Sequence, residues 1–396
     1  APDSGGPTYQ GVQAVDWGAT TRGGLAALWC PDPGQDMFKD RYGFPTHPGL
    51  ISEALRVFRS PGLAMPWLSC FGNHDGLVLG TALPTPSYER AVVSGRKPVD
   101  IPEGVDPLSM VEAFTSAPEL LLSGPARDVV PDPARQVVGR REFVKAHLTT
   151  AGSPPGHGFS TANAAAGTAY EVCDLDGPVP LRVIVLDTTN MDGCFQGSIG
   201  ARQFHWLEER LSEVHSRHLD AKSRLVTTGA PDRLVVLASH HGLATIVNDR
   251  QDPAGLEQDH PRVTAPALET MLHRFGNVVL WLNGHRHRND VQPRPDPLGQ
   301  TGGFWEVSTG ALSDWPCQAR LVELVANGTA EIVVLCTMLD VGVPADPDRA
   351  NGNERLAALH RELASNDPHA GTSHGGEGRA TDRNVALRLR APFGFG

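Results

Sequence analysis

Residues 278–289, VVLWLNGHRHRN, decide the fold expected for this chain. The first five residues form a continuous apolar run, which is typical of a strand buried on both faces of a sheet. Asn283 and Gly284 end the run, because glycine allows a sharp bend. His285 and His287 follow, one residue apart. In an extended backbone such residues point to the same side, so the pattern predicts two parallel imidazoles at a sheet edge, which suits two adjacent metal ions. The alternative interpretation of the motif by itself is a surface turn that carries histidines.

A second apolar run that ends in a polar turn lies upstream. Residues 65–71 are predicted to form a short strand that leads into GNHDG at 72–76. Asn73 offers an oxygen ligand, and His74 can donate or accept a proton near neutral pH. The adjacent Asp75 could set the tautomer of His74. The alternative interpretation of this stretch is an Asx turn with a surface histidine.

The third such place is the apolar run 233–239, which is followed at once by His240 and His241. One histidine just past a strand end can ligate a metal while its neighbour points elsewhere. We therefore predict His240 as the ligand and His241 as a supporting or substrate-contacting residue. The β-branched run 181–186 similarly ends at Asp187, which either faces an active-site crevice or caps a turn.

Composition and charge narrow the class of protein. The chain has 396 residues, of which 40% are hydrophobic and 20% charged, as in ordinary globular proteins. The net charge of -11 argues against non-specific binding to nucleic acid or anionic lipid. No apolar run approaches the roughly 20 residues that span a bilayer. The six cysteines form no C-x-x-C pair, which argues against a zinc ribbon.

The expected organisation is one large domain with an insertion. We assign residues 1–340 to this domain, residues 77–165 to a Pro- and Gly-rich insertion within it, and residues 341–396 to a C-terminal extension. Residues 156–159, GHGF, are interpreted as an exposed loop of the insertion, with a substrate-contacting lid as the alternative.

Periodicity predicts further elements of the domain. Helices are expected at 48–58, 203–215, 263–275 and 353–363. Strands that could form the antiparallel edge of a second sheet are expected at 304–310, 319–325 and 331–338.

The three polar strand ends together resemble the signatures of the calcineurin-like metallophosphoesterase superfamily, which are G-N-H-D/E, a lone strand-end histidine and G-H-x-H. The flanking segments LDTTN at 186–190, GSIG at 197–200 and DWP at 314–316 are similar to an actinobacterial branch. The resemblance runs from about Gly49 to the end of the chain. It implies an α/β fold, a four-layer αββα sandwich of two mixed β-sheets with helices outside.

Two earlier signatures of that superfamily do not occur in this sequence. There is no G-D dipeptide, and D-x-H occurs only at 367–369, after G-H-x-H. The missing signatures normally precede G-N-H-D, and the chain begins at Ala1 in a turn-rich stretch. We therefore expect the first strand or strands, the bridging aspartate and most ligands of the first metal to lie upstream. For the same reason, the sequence leaves both a cytoplasmic and a secreted location open.

The resemblance also implies the metal ligands. Asn73, His240 and His285 are expected to bind the second metal, and His287 the first. Two divalent ions are expected, and mixed nitrogen and oxygen ligation suits Mn, Fe or Zn.

The implied reaction is hydrolysis of a small-molecule phosphomonoester or phosphodiester at a dinuclear metal centre. His74, steadied by Asp75, is expected to act as general acid or transition-state donor. We expect this chain alone to bind one metal weakly at most and to be nearly inactive. One alternative is a non-catalytic binding module that has lost its first metal site. A Ser-His-Asp hydrolase is the third interpretation, but G-x-S-x-G is absent and only GSIG at 197–200 suggests it.

Overall fold

The structure is a computed structural model. It describes residues 29, 31–34, 37–50, 53, 62–98, 102–105, 114–115, 117–251, 259–327, 331–367 and 375–395. Most of the helix predicted over 48–58 lies outside these residues.

The chain divides into two compact units. Unit 1 comprises Ala1–Ala64, Thr81–Val137 and Gly342–Thr372, and unit 2 comprises Met65–Gly80, Val138–Val341 and Ser373–Gly396. The insertion expected over 77–165 and the extension expected over 341–396 are therefore each divided between the units.

The strands belong mainly to unit 2. In chain order they are β1 (Arg96–Pro98), β2 (Ala126–Asp128), β3 (Glu171–Leu175), β4 (Leu181–Leu186), β5 (Ile199–Gly200), β6 (Arg217–Leu219), β7 (Leu225–Thr227), β8 (Leu234–Ser239), β9 (Arg262–Val263), β10 (Val278–Asn283), β11 (Asp290–Arg294), β12 (Phe304–Ser308), β13 (Ala319–Asn327), β14 (Glu331–Leu339) and β15 (Val385–Arg390).

The α-helices are mostly short. They are α1 (Met37–Tyr42), α2 (Asn73–Gly76), α3 (Pro86–Val92), α4 (Arg140–Thr149), α5 (Thr161–Ala166), α6 (Ala201–Ser212), α7 (Ala265–Leu272) and α8 (Gly352–Ser365). Of these, α6, α7 and α8 correspond to the helices predicted at 203–215, 263–275 and 353–363. No helix in the described parts of the chain is both long and apolar enough to cross a membrane.

A six-stranded mixed sheet forms the centre of unit 2, with the strand order β11-β12-β10-β8-β4-β3. Strands β12, β10, β8 and β4 are parallel, and the flanking β11 and β3 are antiparallel to their neighbours. The predicted strands at 181–186, 233–239 and 278–282 are thus confirmed as adjacent members of one sheet. The mixed sheet with its helices confirms an α/β fold.

Both faces of this sheet are covered, as the continuous apolar runs require. In β8, Leu234 and Val236 pack against β13, β14 and β15, which form a separate three-stranded antiparallel sheet. Val235 and Leu237 point the other way and pack with α6 and α7. Successive side chains of a strand alternate between the faces, so a strand covered on both sides is apolar at consecutive positions.

A bulge in β10 adjusts this alternation. The pairing between β10 and β8 shifts between Val278 and Leu280. Val278 and Trp281 pack on the helical face, whereas Val279 and Leu280 both belong to the core between the sheets. An extra residue in one strand has this effect, because it interrupts the two-residue period.

Two strand predictions need correction. The strand at 304–310 was expected in the second sheet, but β12 pairs in parallel with β10 in the first, and β15 completes the second sheet instead. Residues 65–71 form no strand in the described structure; Trp67 N donates to Ser153 O at 3.0 Å. An apolar pattern shows that a segment is buried, but not whether another strand lies beside it.

Candidate metal centre

The carboxyl ends of parallel strands meet at one edge of the six-stranded sheet, and two predicted ligands lie there. His240 directly follows β8, and His285 comes two residues after β10. His240 Nε2 lies 2.6 Å from Asn73 Oδ1 and 3.1 Å from His285 Nδ1. The backbone N–H of Gly284 also donates to His240 O at 3.0 Å, which ties the two loops together. The structure thus brings together the three residues expected to bind one metal.

Asn73 is oriented by the turn that it opens. Its side chain is buried, and its Nδ2 donates to Gly80 O at 2.8 Å. This bond directs Oδ1 towards His240. Gly72 precedes Asn73 at a point of close approach, because a Cβ built there would lie 2.9 Å from the His240 ring. Glycine at this position therefore lets the turn approach the imidazole.

The backbone of the G-H-x-H segment differs from the prediction. His285 and His287 have φ values of 65° and 50°, in the left-handed region. The two rings are therefore not presented in parallel by an extended strand. The first ring joins His240, while Nδ1 of His287 donates to the carboxylate of Asp314. Left-handed backbone is strained for non-glycine residues, and such strain is common at functional sites.

Asp314 was not predicted as a site residue. It was noted only within the DWP segment of the resemblance, and nothing in the local pattern indicates that it contacts His287. If Nδ1 carries the proton that Asp314 accepts, Nε2 of a neutral His287 ring keeps its lone pair. The contact therefore favours the tautomer in which Nε2 is free to accept a proton or a cation.

His241 lies against the same group but is engaged elsewhere. Nitrogens of His240, His241 and His285 all lie within 4.8 Å of one another. However, His241 Nδ1 is 2.9 Å from Thr188 Oγ1, and its Nε2 donates to Phe195 O at 2.9 Å. Both ring nitrogens are thus occupied, and the side chain is fully buried. This geometry makes His241 a support of the site rather than a ligand.

Burial keeps the three imidazoles uncharged at neutral pH. Burial and, to a smaller extent, the neighbouring imidazoles together lower the pKa of His240 to about 3, of His241 to about 2 and of His285 to about 4. A neutral imidazole has a lone pair for a metal, whereas a protonated one does not. The site is therefore prepared for a cation without the release of protons from these rings.

His74 and Asp75 are exposed and lie in the same turn. The Asp75 carboxylate accepts a hydrogen bond from Gly72 N at 2.8 Å, so it closes the turn. His74 lies over Gly80, where an added Cβ would be 2.6 Å from His74 Nε2. Asp75 therefore steadies the backbone that carries His74, through Gly72.

Asp187, which the sequence left open between a crevice and a turn, is buried in a polar cluster. Its carboxylate pairs with Arg140 and accepts from Thr189 N at 3.0 Å, while Gln203 Nε2 donates to its carbonyl at 2.6 Å. These contacts favour the turn-capping alternative.

Neither protein-family models nor curated proteins match this chain. The function of the site is therefore inferred from its geometry and from the motifs that occupy it.

Proposed function

We propose that this protein hydrolyses phosphoester bonds with divalent metal ions bound at the ends of β8 and β10. The observation that supports the proposal best is the convergence of three candidate ligand atoms: Asn73 Oδ1 and His285 Nδ1 both lie within 3.1 Å of His240 Nε2. These are the residues that the metallophosphoesterase resemblance assigns to one metal. The four-layer sandwich of that superfamily is part of the proposal, with a helical layer outside the second sheet.

The residues present fit a transition-metal ion. Asn73, His240 and His285 would hold it through one amide oxygen and two neutral imidazoles, which suits Mn, Fe or Zn better than Mg or Ca. His287, oriented by Asp314, would serve a second ion. Bound divalent ions polarise a phosphoryl oxygen and lower the pKa of a bound water.

His74 would supply the proton for the departing alcohol. It is exposed at the edge of the site, and Asp75 holds its turn through the backbone of Gly72. An exposed imidazole whose position is fixed by its own turn can take up a proton from solvent and donate it to the leaving oxygen.

A metal-binding module without catalysis is the second candidate, and one observation favours it. The three-imidazole group of His240, His241 and His285 is the only one of its kind found in the described residues, and it contains neither His287 nor a carboxylate. A site with one ion could bind a phosphate group without hydrolysing the ester.

Metal content and hydrolysis distinguish the two candidates. The purified chain is loaded with Mn²⁺, dialysed, analysed for bound metal and assayed with p-nitrophenyl phosphate and bis-p-nitrophenyl phosphate. Metal binding with hydrolysis supports the phosphoesterase and contradicts the expectation that this chain alone is nearly inactive. Metal binding without hydrolysis agrees both with the module and with that expectation, and the same assay on a longer version of the protein distinguishes them. Absence of bound metal in both versions contradicts both candidates.

Variants in the same experiment test whether metal binding and hydrolysis depend on the proposed site residues. His240→Ala and His285→Ala each remove a ligand and should lower Mn²⁺ affinity by about tenfold or more, the range that disturbed metal sites show. His74→Ala should abolish most hydrolysis but leave metal binding unchanged. His205→Ala, on the exposed face of α6, is the matched control and should change neither quantity.

A further inference from the structure

An exposed aromatic ring stands beside the candidate ligands. The Phe195 ring is 42% exposed. It lies nearly parallel to the His285 imidazole, with 6.4 Å between the ring centroids and 23° between the planes. A single exposed apolar side chain is ordinary on a protein surface. Phe195 differs from such a residue in its position beside His285 and in the hydrogen bonds that hold its loop.

The loop that carries Phe195 is fixed by buried polar contacts. Asn248 is buried, and its Nδ2 donates to Gly193 O at 2.8 Å and to Gln196 O at 3.0 Å. His241 Nε2 holds the carbonyl of Phe195 itself. The loop therefore presents the ring in a defined place, because the backbone on both sides of it is bonded to the interior.

The backbone next to Phe195 is also strained. Cys194 has a φ of 75°, in the region that non-glycine residues avoid. Strain of this kind costs free energy and is retained where the surrounding structure imposes it, often at ligand-binding sites. It follows that the exposed ring is held in place at a cost to stability.

Two further exposed apolar residues adjoin the site in sequence. Leu79 is 74% exposed, has a φ of 49° and precedes Gly80, whose carbonyl orients Asn73. Leu312 is 63% exposed and lies two residues before Asp314. Leu79 and Leu312 are thus neighbours in sequence of residues that orient candidate ligands, and the ring of Phe195 itself lies beside a candidate ligand.

We propose that Phe195 is a specificity-determining residue, and that the preferred substrates are phosphoesters whose organic group carries a flat aromatic ring. The inference rests on the proposed function, because the metal site would hold the phosphoryl group. The adjacent ring of the substrate then stacks on Phe195, whose plane is fixed by its loop. Two stacked aromatic rings gain binding free energy beyond that of the apolar area they bury. A flat ring should therefore bind more tightly here than a saturated ring of similar size, which a general hydrophobic contact would not distinguish.

Non-hydrolysable phosphonates test this inference independently of turnover. The Mn²⁺-loaded chain is titrated calorimetrically with phenyl-, cyclohexyl- and methylphosphonate. Phenyl and cyclohexyl groups are similar in size but differ in flatness. We expect phenylphosphonate to bind roughly three- to tenfold more tightly than cyclohexylphosphonate, which is the range for an aromatic pair.

Two variants of Phe195 and one control complete the test. Phe195→Ala and Phe195→Leu should each abolish the preference for phenyl over cyclohexyl, and methylphosphonate affinity should stay unchanged. Leu225→Ala, on the exposed strand β7, should retain the preference.

The role of Phe195 and the proposed function are contradicted by different results. Equal binding of phenyl- and cyclohexylphosphonate by the wild type, or a preference that survives Phe195→Ala, overturns the role of Phe195 alone. Failure of methylphosphonate to bind the metal-loaded wild type overturns the proposed function, and the inference with it.

Discussion

Glu171, the first residue of β3, provides a sharp test of the energetics of this fold. Its side chain is 4% exposed, and neither carboxylate oxygen has a hydrogen-bond partner among the described residues. Gly158 lies directly against it, since a Cβ built there would be 1.6 Å from Glu171 Oε2. Burial raises the pKa of Glu171 from 4.5 to about 8. We predict that Glu171→Gln stabilises the protein much more at pH 8 than at pH 5.

The sign follows from proton binding in the two states. Below pH 4.5 the carboxyl is protonated in both the folded and the unfolded chain, so it causes no penalty. Between pH 4.5 and about 8 the unfolded chain loses the proton and the folded chain keeps it, so the free energy of unfolding falls as pH rises. Above about pH 8 the full penalty is present. Glutamine does not ionise and therefore removes this penalty.

The raised pKa sets the size of the effect. From the two pKa values, the penalty is roughly 1 kcal/mol at pH 5 and roughly 4 kcal/mol at pH 8. The variant should therefore gain about 3 kcal/mol more, relative to the wild type, at pH 8 than at pH 5. Any pH-independent cost of burying the amide cancels in this comparison.

Urea unfolding followed by tryptophan fluorescence measures the difference. Wild type, Glu171→Gln and the control Glu209→Gln, whose side chain is exposed on α6, are unfolded at both pH values. A gain that is the same at pH 5 and pH 8, or a larger gain at pH 5, refutes the argument from burial. The control should show no pH-dependent gain of this size.

Three further predictions concern the candidate metal centre. Gly72→Ala would place a Cβ 2.9 Å from the His240 ring, so its affinity for Mn²⁺ should fall about tenfold. The control Gly229→Ala has open space around the added Cβ and should bind Mn²⁺ like the wild type in the same titration. Asp314→Asn should shift His287 away from the Nδ1–H tautomer in long-range ¹H–¹⁵N NMR spectra; an unchanged tautomer ratio contradicts the contact. Chelation of bound Mn²⁺ should lower Tm, because it removes roughly 2.7 kcal/mol from the free energy of unfolding when the free ion had been present at 100 times its Kd. An unchanged Tm would show that no metal is linked to folding.

The sequence alone determined the central strands and the places where their polar ends occur. The runs at 181–186, 233–239 and 278–282 are local, continuous and apolar, so each predicts a strand buried on both faces without knowledge of its neighbours. The assignment of His240 and His285 to one metal came from the metallophosphoesterase resemblance and not from these runs. Their meeting at one sheet edge depends on β8 and β10 being parallel and adjacent, which only the structure shows.

The tertiary structure decided how individual side chains are used. His157, predicted in an exposed loop, is fully buried and stacks on Trp67 at 3.6 Å between ring centroids. The left-handed backbone of His285 and His287 separates two rings that sequence spacing had placed in parallel. His241 and Asp314 gained their roles from residues far along the chain. Spacing in sequence gives the direction of a side chain only where the backbone is regular, and contacts between distant loops depend on how the sheet brings those loops together.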